Sequence, residues 1–349
     1  MHARMIATGN ESPRETGEQL GLEDRVPSAS SPGAPLVDIA IAVFKRADYV
    51  ACAIQSVIEQ SYSNWKLTVS EDGGQTKPVV RAIEPYLGDE RIRYVTPAER
   101  LGTARHKSSL VAQGHGKYVT ILDDDDCWLS DWLARRVEFL ERHPACVLVW
   151  AGHRDIDVDG AEIGRPAFPL AGGVYSSLEF TQVMMRGNIV ATPSVLIRRD
   201  AYIRAGNTFD PRFIHINDYE LWLRLGLLGP VGFLSVYDSS YRRHPQQMSQ
   251  QHDRALDHLQ MIDHLDGLLQ KSIPDLRLPA AVLRRQKADR LLSVALDAAQ
   301  QHQMRNAARQ IAIAARLAPR ALVSRRGMAA VAATVGGKKI RRRVGAARS

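Results

Sequence analysis

From Val37 to Trp150 the chain alternates short runs of Val, Ile and Leu with stretches whose apolar residues recur every three or four positions. The β-like runs are Val37 to Val43, Leu67 to Ser70, Arg91 to Val95, Tyr118 to Leu122 and Val147 to Trp150. Between them a helical period runs through Val50/Ile54/Val57/Ile58, Val79/Val80/Ile83/Leu87, Ala104 to Val111 and Leu129/Leu133/Val137/Leu140, with Asp48 as the N-cap of the first helix. Such alternation leaves few architectures, because parallel strands need crossover connections and helices used as crossovers cover the sheet. The expected fold is α/β: a mostly parallel sheet with helices on both faces, followed by a C-terminal helical extension.

The run Tyr118 to Leu122 leads directly into four aspartates, Asp123 to Asp126, and then Cys127 and Trp128. Crowded carboxylates repel by about 1 kcal/mol per pair at 4 Å even in water, and a bound cation removes that cost. A solvated acidic turn is the plainer reading of an isolated Asp run. Here a buried strand delivers the acids to the sheet edge at which open α/β folds keep their ligands. That position suits a divalent metal and a nucleotide diphosphate.

With 45% hydrophobic residues in 349, the chain has the makings of an ordinary soluble core. Cys52, Cys127 and Cys146 are scattered and match no zinc pattern, which argues for a reducing compartment without structural disulfides. No apolar stretch reaches the roughly 18 residues that cross a bilayer, and the N-terminus lacks the profile of a secretory signal. A cytoplasmic protein is expected. The net charge of +8 belongs to the tail: 12 of the 46 Lys and Arg residues, and no acid, follow Asp297. The remaining 34 basic residues face 38 acidic ones, a net of −4 up to Asp297. A basic nucleic-acid-binding surface on the main domain is therefore not implied, and no aromatic residue lies among the tail's arginines. Arg325, Arg326, Lys338, Lys339 and Arg341 to Arg343 flank the apolar Met328 to Val335, a composition suited to peripheral attachment at the anionic inner face of the plasma membrane.

Residues 1–35, rich in Ser, Pro, Gly and charge, read as a disordered leader. The main domain then spans 36–250, a helical extension 251–320 and the basic tail 321–349. Beyond Asp155 a Gly- and Pro-rich stretch reads as loop, before a strand at Ser194 to Ile197, a helix at Tyr219 to Leu228 and a strand at Val231 to Leu234.

Several segments in order, covering roughly Val37 to Ser249, resemble family 2 of the glycosyltransferases, inverting enzymes of the GT-A fold. Ile39 to Tyr49 is similar to the family's stretch ending in Pro-Thr-Tyr-Asn-Arg, with Ala42, Phe44 and Lys45 replacing Pro, Tyr and Asn. The resemblance implies that Phe44 offers a ring face to the nucleobase. Leu67 to Gly74 resembles a strand ending in Asp-Asp-Gly-Ser, which makes Asp72 the acceptor for a uracil ring N–H. Gly102 to His106 stands where the family has Ala-Arg-Asn, so that Arg105 would contact the nucleotide. The aspartate run fits the DXD element, with Asp123 and Asp125 as its carboxylates, Asp124 facing the ribose and Asp125 the ligand of Mn²⁺ or Mg²⁺.

His215 to Leu225 resembles Glu-Asp-Tyr-Asp-Leu-Trp-Leu-Arg-Leu, with Asn217 for Glu, and this makes Asp218 the general base. Asp218 also reads as the N-cap of the helix that follows. Tyr241 to Ser249 resembles the Tyr-Arg-x-His-Pro segment, which makes His244 a metal or diphosphate contact and Arg243 a partner for phosphate charge. Asn188, Thr192, Pro193 and Ser194 resemble the acceptor-side Asn-x-x-x-Pro-Ser region.

The resemblance implies a metal-dependent inverting transferase. Its donor is a nucleoside-diphosphate sugar, UDP-linked by preference, and its acceptor a glycan or lipid-linked molecule in cell-surface polysaccharide synthesis. The altered Ala42, Lys45 and Asn217 motivate the alternative of a non-catalytic sugar-nucleotide or glycan-binding protein on the same fold.

Overall fold

The computed structural model describes residues 33–185, 187–245, 247 and 280–336, with isolated positions 257, 260, 261, 264, 267 and 268 between them. Most of the leader expected over 1–35, much of 251–279 and the end of the basic tail lie outside the described residues.

Ten strands form one sheet: β1 Val37–Val43, β2 Trp65–Glu71, β3 Ile92–Val95, β4 Tyr118–Asp123, β5 Cys127–Trp128, β6 Leu148–Ile156, β7 Glu162–Gly164, β8 Gly173–Tyr175, β9 Leu196–Arg198 and β10 Val231–Arg242. The main path runs β3-β2-β1-β4-β9-β6-β10-β5. The first four strands are parallel throughout. β9 enters antiparallel between β4 and β6, and β6 and β10 run parallel to each other.

Period-2 alternation in β1 explains the two cores. Val37, Ile39, Ile41 and Val43 face helices α1 (Ala47–Ile58), α2 (Lys77–Ile83) and, further along the sheet, α4 (Trp132–Arg142). Ala40 turns to the opposite face, toward α3 (Thr103–Ala112) and the later α5 (Ser177–Met184), α6 (Arg199–Arg204) and α7 (Asn217–Gly226). Parallel register aligns Ala42 with Asp123 and Val43 with Glu71. Phe44, Asp72 and Asp124 are therefore the residues that leave three adjacent strands at one carboxyl edge.

Some local expectations give way. α1 starts at Ala47 with Arg46 at its N-cap, so Asp48 sits in the first turn. Within the stretch read as loop, Ser176 and Glu179 form a reciprocal capping box that starts α5. Cys52 and Cys127 are disulfide-paired across 75 positions, with Cα atoms 6.4 Å apart, while Cys146 is free and buried. Spacing along the chain could not show this, because α1 and β5 become neighbours only in the folded chain. The expectation of a chain without a structural disulfide is therefore corrected.

At the C-terminal end, α8 (Ala280–Gln300), α9 (Met304–Leu317) and α10 (Arg325–Gly336) pack around Ala288, Leu292, Ala295, Ala314 and Ala330. Small alanines let these helices approach closely. Because Ala330 is buried in that cluster, the helical unit continues past the boundary expected at 320. Leu283 packs on the main core, and the Gln286 side-chain amide donates to the Met185 carbonyl, which seats α8 against the sheet domain. Among the described residues no helix is long and apolar enough to cross a membrane.

Candidate active site

A cleft of about 610 Å³ opens at the carboxyl edge of β1, β2 and β4, walled on its far side by residues 188–192 and the start of α7. The tight turn after β4, in which Asp126 N donates to Asp123 O, sends the four carboxylates in different directions. Asp123 Oδ1 meets Lys107 Nζ at 2.7 Å. Asp125 Oδ2 lies 2.5 Å from Arg46 Nη1 and 2.9 Å from His244 Nε2. Asp126 Oδ1 accepts Arg242 N at 2.9 Å, while its buried Oδ2 has no hydrogen-bond partner among the described residues.

Asp124 departs from expectation. It is fully buried, accepts Phe44 N at 3.3 Å, pairs with Arg46 Nη2 at 2.6 Å and does not line the cleft, so it is turned away from the place of a ribose. Burial pushes Asp124 up to about 8, with Arg46 opposing and Asp125 and Asp123 adding to the rise. Burial likewise lifts Asp126 well above the carboxylate range, helped by Asp125 and Asp123. Crowding four acids in one turn thus favours extra protons or cations.

Asp72 lines the cleft, but its oxygens already accept Leu101 N at 2.7 Å and Gly102 N at 2.8 Å. It shapes the turn into α3, and each oxygen keeps a lone pair for a further donor. Phe44 borders the cleft, with the Arg100 guanidinium 4.4 Å from its ring centroid. Arg105 does not reach the cleft. On α3 the sheet-facing positions are Ala104, His106, Lys107, Leu110 and Val111, and the helical turn points Arg105 to solvent.

Asp218 stands on the opposite wall. Its Oδ1 accepts Tyr219 N at 2.7 Å, and its Oδ2 accepts Thr192 Oγ1 at 3.1 Å and Asn188 Nδ2 at 3.5 Å. Burial raises its proton affinity, and Lys107, Tyr219 N–H and the Thr192 hydroxyl pull it back. It lies in the first turn of α7, whose N-cap is Ile216, so it is not the cap itself. Arg243 also borders the cleft, paired with Asp155 at 2.9 Å.

Among the cleft residues that sequence reasoning gave no role are three strong cations, Arg46, Arg100 and Lys107. Lys107 carried a signal, since it falls on the buried Ala104/Val111 stripe of α3, where a charge needs a buried partner.

For a hard divalent cation, Asp125 and His244 offer an oxygen and a nitrogen side by side, and the orphaned Asp126 Oδ2 adds a carboxylate oxygen on the same cleft. No closed cage forms there. Among the described residues, the one set of three ligand atoms within 4.8 Å of one another is Asp210, Glu220 and His264. Its two carboxylates are already paired with Arg212 and Arg224. An open site at the aspartate run fits ions that bind through one or two carboxylates plus substrate phosphates.

Residues 38–203 match the model of glycosyl transferase family 2. This segment belongs to that family. The chain is accordingly a glycosyltransferase, and its relatives include proteins named for teichuronic acid and colanic acid biosynthesis. The putative teichuronic acid biosynthesis glycosyltransferase TuaG of Bacillus subtilis is 26% identical over 193 residues, 55% of this chain and 72% of its own. The UDP-Glc:alpha-D-GlcNAc-diphosphoundecaprenol beta-1,3-glucosyltransferase WfgD of Escherichia coli is 23% identical over 190 residues, 54% of this chain and 69% of its own. Among solved structures, residues 1–349 of S. aureus TarS superpose with a TM-score of 0.57 at 12% identity, over 77% of this chain and 82% of that one. At that identity the glycosyltransferase shares the fold, an α/β GT-A architecture with a C-terminal helical region.

Proposed function

We propose that this glycosyltransferase is metal-dependent and inverting, and that it moves a sugar from a UDP-linked donor to a hydroxyl of a glycan or lipid-linked acceptor. One observation carries the reading: Asp218 and Asp125 come from opposite walls yet line one cleft, with His244 Nε2 held 2.9 Å from Asp125 Oδ2. Direct displacement at an anomeric carbon needs that arrangement, since the acceptor oxygen enters opposite the departing diphosphate. The choice of UDP draws on TarS, whose solved structures include complexes with UDP-GlcNAc and with UDP, and on the name of WfgD.

Asp218 takes the proton of the acceptor hydroxyl as that oxygen attacks. Thr192, Asn188 and the Tyr219 backbone hold its two oxygens, so little orientational freedom is lost when the acceptor binds. Burial makes it a stronger base than a surface carboxylate, and Lys107 favours its ionised form. Asp125 and His244 would hold Mn²⁺ or Mg²⁺, which when bound supplies positive charge to the leaving diphosphate. Arg100 and Phe44 border the base-binding end of the cleft, where a planar ring can stack.

The decisive variant is Asp218→Asn. Sugar transfer should fall by about 10²- to 10⁴-fold, the usual weight of general-base assistance, with UDP-sugar binding retained. Transfer near the wild-type rate would reject Asp218 as the base.

The proposed site of action is the cytoplasmic face of an anionic membrane. Met328 and Val335 on α10 and the nearby Val323 are 55%, 82% and 74% exposed, and Arg320, Arg325 and Arg326 share that end of the molecule. Truncation after Pro319 should release the protein from anionic vesicles; retention would reject this attachment. Because that cut removes α10 from its packing on α8, the variant Arg325→Glu/Arg326→Glu serves as the gentler test of the same loss.

A further inference from the structure

Arg46 occupies the same Asp125 oxygen that faces His244. Its Nη1 is 2.5 Å from Asp125 Oδ2 and its Nη2 is 2.6 Å from Asp124 Oδ1, a two-pronged grip on neighbouring carboxylates. His244 Nε2 lies 2.9 Å from the same Asp125 oxygen and 3.5 Å from Arg46 Nη1. Mg²⁺ demands carboxylate oxygens at about 2.0–2.1 Å in a near-octahedral shell. An ion on Asp125 Oδ2 would face a guanidinium nitrogen already 2.5 Å from that atom, and the two positive charges would repel. Arg46 has somewhere to go, since its side chain is 23% exposed and lines the cleft. It follows Lys45, whose φ of 59° turns the chain sharply at the end of β1.

We propose that Arg46 is the resident counter-ion of the metal site: it occupies Asp125 while the donor is absent and gives up that carboxylate when metal and diphosphate arrive together. The proposal rests on the metal-dependent reading above. Mn²⁺ alone must evict the guanidinium from a buried acidic turn, so it binds weakly. A nucleoside diphosphate changes the balance, because a phosphate oxygen offers Arg46 a new partner that suits its planar donor fork. Metal capture and donor capture thereby become one coupled event. Asp124, which keeps its Phe44 N–H, then remains buried with one partner fewer.

Mn²⁺ titration of the full chain, followed by electron paramagnetic resonance with and without UDP, tests this in wild type, Arg46→Met and Arg46→Lys. Without UDP, Arg46→Met should bind Mn²⁺ about tenfold more tightly than wild type, within the range of typical coupling factors. Arg46→Lys, which keeps a charge beside the buried Asp124 but cannot grip two carboxylates, should fall between them and guards against a Met variant that fails to fold. UDP should raise Mn²⁺ affinity far more in wild type than in either variant. Variants that bind Mn²⁺ no more tightly than wild type overturn the proposal while leaving the metal reading intact. A wild-type protein that binds no Mn²⁺ even with UDP removes the metal reading, and the role of Arg46 with it.

Discussion

Lys107 Nζ lies 2.7 Å from Asp123 Oδ1, buried at the floor of the cleft between the acidic run and Asp218, the proposed base on α7. Burial works against its ammonium, yet Asp123, Asp218 and Asp125 together hold its proton more firmly than in an ordinary lysine. The same charge acts in reverse on Asp218, where it opposes the rise caused by burial. A base must be ionised to act, so transfer fails as pH drops through the Asp218 pKa. Lys107→Met removes a cation that favours the ionised form, and the acid limb of the kcat/KM profile should move to higher pH. Lys107→Arg, which keeps the charge, should leave the limb near its wild-type position. A limb that does not move in Lys107→Met would show that the two groups are not electrostatically coupled.

The two arginines flanking the turn into α3 should behave oppositely. Arg100 covers the Phe44 ring at 4.4 Å, a cation–π contact of about 0.5–1 kcal/mol at an exposed site. Arg100→Ala should raise the donor KM several-fold. Arg105, which points to solvent from α3, should be replaceable by Ala with donor KM changed by less than about twofold, as expected of a surface substitution. Steady-state kinetics with varied UDP-sugar decide the matter, and a large Arg105 effect would restore the role first assigned to it.

Arg136 and Asp238 form an ion pair almost entirely out of solvent, with side chains 0% and 2% exposed and two nitrogen–oxygen contacts of 2.8 and 2.9 Å. Arg136 Nε also donates to Ser194 O at 2.9 Å, which pins the turn whose Thr192 holds Asp218. Removing one partner strands the other's charge, so Asp238→Ala should cost about 3–5 kcal/mol in denaturant unfolding. The double change Arg136→Met/Asp238→Leu should cost far less, because no buried charge is left over. Equal losses in the single and double variants would contradict this account.

What the sequence disclosed and what it hid divide along physical lines. β1, β2, β4 and the first four residues of β10, with the helices between the early strands, announce themselves through period-2 and period-3.6 patterns, because burial imposes those patterns directly. Motif order did bring Asp125 and Asp218 to one cleft, from opposite walls. Asp124 and Arg105 were misplaced for a shared reason: a residue's direction in a tight turn, or around a helix, depends on one step of rotation that a motif does not encode. Arg46 and the Cys52–Cys127 pair needed the third dimension, since their partners stand 79 and 75 positions away. The Ser176-x-x-Glu179 capping box did signal the start of α5, but it was overlooked inside a Gly- and Pro-rich stretch.

Gly226 near the end of α7 shows how closely the wall that carries Asp218 is fitted. A Cβ there would lie 2.4 Å from Phe180 Cδ1 and 2.7 Å from Cε1, and Phe180 is a fully buried ring on α5. The same two helices are tied at the other end, where the Tyr219 hydroxyl donates to the Met184 carbonyl. A methyl group at 226 cannot be absorbed by a flexible tip, so α5 and α7 must separate. Gly226→Ala should therefore destabilise the protein by about 1–3 kcal/mol, the usual cost of overpacking. Because α7 carries Asp218, kcat should fall while donor KM stays near the wild-type value. Phe180→Leu placed in the Gly226→Ala background should recover part of both losses, as contacting residues are not additive. If the second substitution only adds to the damage in thermal unfolding and in kcat, the contact between Phe180 and position 226 is not what positions the base.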